Sequence, residues 1–139
     1  MTELNKKPKM LIVEDDFENQ SFMRIFFKRK FEIATCDSET TFNEKYKPGE
    51  IDVIIMDISL RGEKDGLEIT KTLRENGDDV PIVGLSAHAF QRDRENAKKA
   101  GVDVFLTKPV PNDTLYNAVR ATLKEKNDFD IGDYGKTTG

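Results

Sequence analysis

Ile51-Asp52-Val53-Ile54-Ile55-Met56-Asp57 carries an apolar, largely β-branched run onto a carboxylate. Residues 53–56 are apolar without alternation, as expected of a strand covered on both faces. Pro81-Ile82-Val83-Gly84-Leu85 reads the same way. Strands of this kind belong to parallel sheets, whose neighbouring strands are joined by crossover helices.

Outward from that stretch, short apolar runs at 10–13, 31–36, 51–56, 80–85 and 104–107 alternate with helical segments. Residues 17–30 place Phe22, Ile25 and Phe26 at i, i+3, i+4, the spacing of an apolar helix face. A shorter helix is expected over 40–46. Residues 67–76 carry Leu67, Ile69, Thr70 and Leu73 and close on Gly77, and 89–100 close on Gly101. Leu115, Val119 and Leu123 mark a helix over 113–124, with Asn112 or Asp113 as N-cap. Five strand–helix units predict a parallel α/β sheet with helices on both faces. The domain spans 9–125, and 126–139 reads as a flexible tail, with docking of its apolar residues Phe129, Ile131 and Tyr134 as the alternative.

Composition narrows the chemistry. The 139 residues fit one domain, and 37% hydrophobic content is enough for one core. Cys36 is the only cysteine and His88 the only histidine, which argues against an internal disulfide, a histidine-based zinc cage and a histidine triad. Cys36 closes a strand-like run and reads as a small buried hydrophobe. Net charge is −4, and the basic runs Lys6, Lys7, Lys9 and Lys28-Arg29-Lys30 are short enough to be solvated. Direct DNA binding is not expected without an attached effector module. The run Met10 to Val13 is too short for a membrane span or a signal region, so a cytoplasmic protein is expected.

Functional residues gather where strands end. Glu14, Asp15 and Asp16 follow the first strand, Asp57 the third, Ser86 ends the fourth, and Lys108 ends the fifth before Pro109. Ligands of open parallel sheets bind beyond the carboxyl ends of the strands, where strand order reverses. With the first and third strands adjacent, Glu14, Asp15 and Asp57 converge, and like charges so close call for a cation. Carboxylates without His or Cys favour Mg²⁺ or Mn²⁺. The competing reading is that Asp15 or Asp16 simply caps the first helix. Asp57 is followed by a loop, so capping does not account for it.

Met10-Leu-Ile-Val-Glu-Asp-Asp16, Ile54-Ile-Met-Asp-Ile-Ser-Leu60, Asp65-Gly-Leu-Glu68, Ile82-Val-Gly-Leu-Ser-Ala87 and Ala100-Gly-Val-Asp-Val-Phe-Leu-Thr-Lys-Pro109 together resemble the receiver domains of two-component response regulators. The resemblance implies a doubly wound, flavodoxin-like sheet of order 2-1-3-4-5 with five helices. It implies a stand-alone signalling receiver rather than an enzyme with a separate substrate. Asp57 corresponds to the phosphoacceptor. Asp15 corresponds to the direct Mg²⁺ ligand, with Glu14 acting through water and the Ser59 backbone carbonyl as a further ligand. Lys108 corresponds to the residue that pairs with the phosphoryl oxygens, and Ser86 to a hydroxyl that turns toward them. Phe105 corresponds to an aromatic that rotates inward, altering the face made by the fourth helix, fifth strand and fifth helix. Ser59 and His88 occupy positions that tune hydrolysis, and Lys108–Pro109 is expected to be cis. Partners implied are a sensor histidine kinase or a histidine phosphotransferase, and a downstream protein target. Arg61-Gly62-Glu63-Lys64 departs from the family's frequent proline-containing loop.

Two other classes share parts of this pattern. A haloacid-dehalogenase-type phosphohydrolase would use Glu14 and Asp16, two residues apart, but expects Asp at the first of them. A flavodoxin-like electron carrier would need a Ser/Thr/Gly phosphate loop after the first strand, and that loop is missing from the sequence.

Overall fold

The computed structural model describes residues 7–59, 65–88 and 90–135. Five strands, β1 (Lys9–Val13), β2 (Glu32–Cys36), β3 (Val53–Asp57), β4 (Ile82–Ser86) and β5 (Val104–Thr107), alternate with five helices. The helices are α1 (Phe17–Phe27), α2 (Glu39–Lys45), α3 (Gly66–Glu75), α4 (Gln91–Ala100) and α5 (Asn112–Asn127). All pairings are parallel and the strand order is β2-β1-β3-β4-β5. The doubly wound sheet expected from the sequence is therefore the fold.

Strand alternation divides the apolar residues between two cores. Leu11, Val13, Ile54, Met56 and Ile82 face Phe42, Ile69, Leu73 and Ala97 on one side. Met10, Ile12, Val53, Ile55, Val83 and Leu85 face Met23, Phe27, Leu115, Val119 and Leu123 on the other. Every residue of β3 and β4 is buried, which is why their sequences show no polar alternation. Side-chain caps fix where helices begin. Asp16 Oδ1 accepts from the Glu18 N–H, Ser38 caps α2, and Asp65 Oδ1 accepts from the Glu68 N–H. At the other end of α4, Gly101 takes φ 105, a left-handed conformation that a Cβ would penalise.

Two sequence expectations are corrected. In α1, Met23 and Phe27 are the buried residues, while Phe22 is 53% and Ile25 62% exposed. Phe27 packs edge-on against Phe31 and stacks with Tyr116, and that pairing selects the inward face. Phe22 and Phe26 instead stack on each other, with ring centroids 6.2 Å apart.

The second correction concerns the segment from residue 126, which is not a free extension as far as 135. Helix α5 continues to Asn127 and ends at Asp128 in the left-handed conformation. The chain then lies back across α1 and α5. Ile131 is buried, its carbonyl accepts from Lys30 Nζ, and Tyr116 Oη donates to the Gly132 carbonyl. Arg120 pairs with Asp130 and Asp133, while Tyr134 packs on Phe26 and Tyr116. One buried aliphatic and four charged or aromatic anchors outweigh the tail's polar composition. Residues 136–139, and the loop at 61–64, lie outside the described residues.

Candidate functional site

The parallel register places the site. Val13 pairs with Met56 and Asp57 with Leu85, so the turn after β1 and the end of β3 lie side by side. Ser86 pairs with Thr107, bringing Lys108 level with the same edge. Backbone bonds hold these ends together. Glu14 N donates to the Cys36 carbonyl, Ile58 N to the Leu85 carbonyl, and Lys108 N to the Ser86 carbonyl.

Carboxylate oxygens of Glu14, Asp15 and Asp57 lie within 4.8 Å of one another. Glu14 is 1% and Asp57 4% exposed, and Asp15 is half-buried. Lys108 Nζ stands 3.3 Å from Glu14 Oε1 and 3.6 Å from Asp57 Oδ2, reaching both buried acids with one cation. Asp57 Oδ1 accepts from the Ser59 N–H at 3.0 Å. Glu14 Oε2 accepts from the Asp16 N–H at 3.1 Å, which fixes the turn out of β1. Burial, then a hydrogen bond with Asp57, pushes the Glu14 carboxyl up to about 7, against the lowering effect of the Asp16 N–H and Lys108. A carboxyl so raised marks a site short of positive charge. The oxygen-only donor set fits Mg²⁺ or Mn²⁺ and suits zinc or copper poorly.

The two readings of the acid triplet separate cleanly. Asp16 is exposed and caps α1, whereas Asp15 joins the cluster. That arrangement disfavours a hydrolase using Glu14 and Asp16, because Asp16 is spent on the helix end.

The remaining sequence candidates border the cluster. Ser86 is 3% exposed, and its Oγ accepts from the His88 N–H at 3.0 Å. The His88 side chain itself is exposed, as is Ser59. Phe105 is half-buried on β5, and Lys108–Pro109 is cis. Sequence reasoning missed three residues. Gly66 packs so close that a Cβ there would lie 2.5 Å from the Asp57 carbonyl oxygen. Thr107 Oγ1, opposite Ser86 in the register, is buried without a hydrogen-bond partner among the described residues. Arg94 of α4 covers Phe105, its guanidinium carbon 5.2 Å from the ring centroid. The strand–Asp–loop–Asp65-Gly66 spacing was a signal for the first, whereas the other two depend on tertiary packing alone.

Comparison with known proteins agrees with this geometry. A family model described as "Response regulator receiver domain" matches residues 10–120. The hybrid signal transduction histidine kinase I of Dictyostelium discoideum is 32% identical over 125 residues, covering 83% of this chain and 7% of that protein. The heme response regulator HssR of Staphylococcus saprophyticus is 30% identical over 118 residues, covering 84% and 52%. The chain thus spans about half, or far less, of the length of these curated relatives. A two-component response regulator from Clostridium difficile superposes with a TM-score of 0.77 at 28% identity, covering 87% of this chain and 99% of that one. No helix among the described residues is long and apolar enough to cross a membrane. By its sheet order, its acidic pocket and the match over residues 10–120, this chain belongs to the response regulator receiver domain family.

Proposed function

We propose that this chain is a receiver that takes a phosphoryl group from a phosphohistidine onto Asp57. The donor is a sensor histidine kinase or a histidine phosphotransferase. The observation that carries the reading is Asp57 itself, buried at the end of β3 with two carboxylates and one lysine around it. The Asp57 carboxylate attacks phosphorus, the P–N bond breaks, and the donor imidazole leaves with the electron pair and takes up a proton. The pocket's own contribution is placement and charge. The Ser59 N–H holds one Asp57 oxygen, leaving the other toward Lys108. Lys108 then stands where the equatorial phosphoryl oxygens gather charge.

Asp15, Asp57 and the Ser59 carbonyl would hold Mg²⁺ or Mn²⁺, with Glu14 reaching it through water. Bound there, the ion neutralises charge on the phosphoryl oxygens. Ser86 leaves the His88 N–H to reach the phosphoryl group, and Phe105 moves inward behind it. That rearrangement changes the α4–β5–α5 face seen by a downstream protein. Ser59 and His88, two residues beyond Asp57 and Ser86, tune how fast water removes the phosphoryl group. A cytoplasmic setting, without direct DNA binding by this domain, completes the reading.

Incubation with Mg²⁺ and a small phosphodonor such as acetyl phosphate tests it. The intact protein should gain about 80 Da as a hydroxylamine-labile adduct, the mass of one phosphoryl group. Asp57→Asn should gain nothing. Equal labelling of that variant would move the acceptor elsewhere.

A further inference from the structure

Phe105 is in contact with a residue that belongs to neither the acidic pocket nor the strand. The ring projects from β5, opposite Gly84 of β4 and on the side of the core that packs beneath α4. Gly84 offers it no side-chain neighbour, since Ile58 and Val102 occupy the space a Cβ would take there. On the strand side the half-buried ring packs against the core cluster that contains Ile58, Ala97 and Val102. On the outer side the Arg94 guanidinium lies over the ring at 5.2 Å, a cation–π contact between α4 and β5. Two residues along β5, and on the same face, Thr107 keeps a buried hydroxyl with no partner among the described residues. The face of β5 that carries the ring thus also carries this hydroxyl, and Arg94 is a charged contact of the ring.

We propose that Arg94 is a positioning residue of the switch, a latch that holds Phe105 in its present half-buried position until the acceptor site is filled. This rests on the reading of Asp57 as the acceptor and of Phe105 as the moving aromatic. A contact of this class at an exposed site biases a two-state equilibrium by about two- to fivefold. Because inward rotation and filling of the acceptor site are coupled, that bias appears as weaker binding of a phosphoryl mimic. Arg94 is exposed on α4, so its replacement should leave the fold intact.

The chain contains no tryptophan, so Phe105→Trp supplies a single tryptophan at the ring position, excited selectively over the three tyrosines. In that background, beryllofluoride with Mg²⁺ is titrated and emission is followed. Arg94→Met, which retains the aliphatic stem and loses the charge, should lower the midpoint about two- to fivefold. Arg94→Lys, a point cation, should fall between. An unchanged or higher midpoint for Arg94→Met, with binding intact, overturns the latch. Failure of the parent to respond to beryllofluoride, together with absence of an Asp57 adduct by mass, overturns the acceptor reading instead and takes the latch with it.

Discussion

At the residue scale, burial decides which side chains keep their ordinary chemistry. Cys36 is buried, and desolvation pushes its thiol up to about 12 from 9.0. The folded form thus disfavours the thiolate that the unfolded chain forms near pH 9. Stability from this group is fully present below pH 9 and drains away as pH rises toward 12. Tyr46, raised by burial and by its hydrogen bond to Asp78, acts in the same direction above pH 10. Urea midpoints should therefore fall on the alkaline side, with a shallower decline in Cys36→Ala. The same burial should keep the single thiol silent toward a disulfide reagent at pH 8 until denaturant is added. Gly66 offers a second check. Its missing Cβ would lie 2.5 Å from the Asp57 carbonyl and 2.9 Å from Ile58 Cα, both backbone atoms that cannot swing aside. Gly66→Ala should cost about 1–3 kcal/mol in urea unfolding, as overpacking does. It should also slow labelling of Asp57, because the strain falls on the acceptor's own peptide.

At the element scale, α5 and the segment after it behave as one unit. Ile131 fills a buried position against a core that contains Phe27, Tyr116 and Leu123. Ile131→Ala should lose about 2–4 kcal/mol, near the range for aliphatic truncation in a core. Thermal unfolding monitored by circular dichroism would read it, and a change below about 0.5 kcal/mol would mean the segment stands free of the domain. The sequence left this docking as the lesser alternative because three apolar residues among polar ones form no periodic pattern. The segment's partners, Tyr116 and Arg120 on α5 and Lys30 in the turn after α1, are far apart in the sequence. Helix α1 hid its inward face for a related reason. Phe22, Met23, Ile25, Phe26 and Phe27 include apolar residues on more than one side, so spacing alone admits two faces. Contact with Phe31 and Tyr116 decides between them. By contrast, β3 and β4 were legible because total burial leaves an uninterrupted apolar run.

At the scale of the whole molecule, the acidic pocket is a cost the fold carries. Glu14, Asp15 and Asp57 crowd together with Lys108 as the cation bonded to two of them, and burial, then the contact with Asp57, raises Glu14. A divalent cation held there would relieve that crowding in the folded state and would find no such cluster in the unfolded one. Mg²⁺ at a hundred times its dissociation constant should add about 2.7 kcal/mol of stability by mass action. Asp15→Asn should remove most of that gain, as read by melting temperature with and without the ion. These acids were legible because parallel topology collects strand ends, and strand ends can be counted along the chain. The Arg94 cover on Phe105 was not, since residues 94 and 105 meet only when α4 folds back over β5.

The returning segment has a bearing on how the protein meets its surroundings. Its anchors are of two kinds: Arg120 with Asp130 and Asp133 is ionic and exposed, while Ile131 and Tyr134 are apolar. Dissolved electrolyte weakens the first kind by screening. Strongly hydrated salts such as sulfate strengthen the second by making water a poorer host for apolar surface. The two responses oppose each other within a few residues of chain. The docked segment is in this sense buffered against its ionic environment, holding its place in dilute and in concentrated salt by different means.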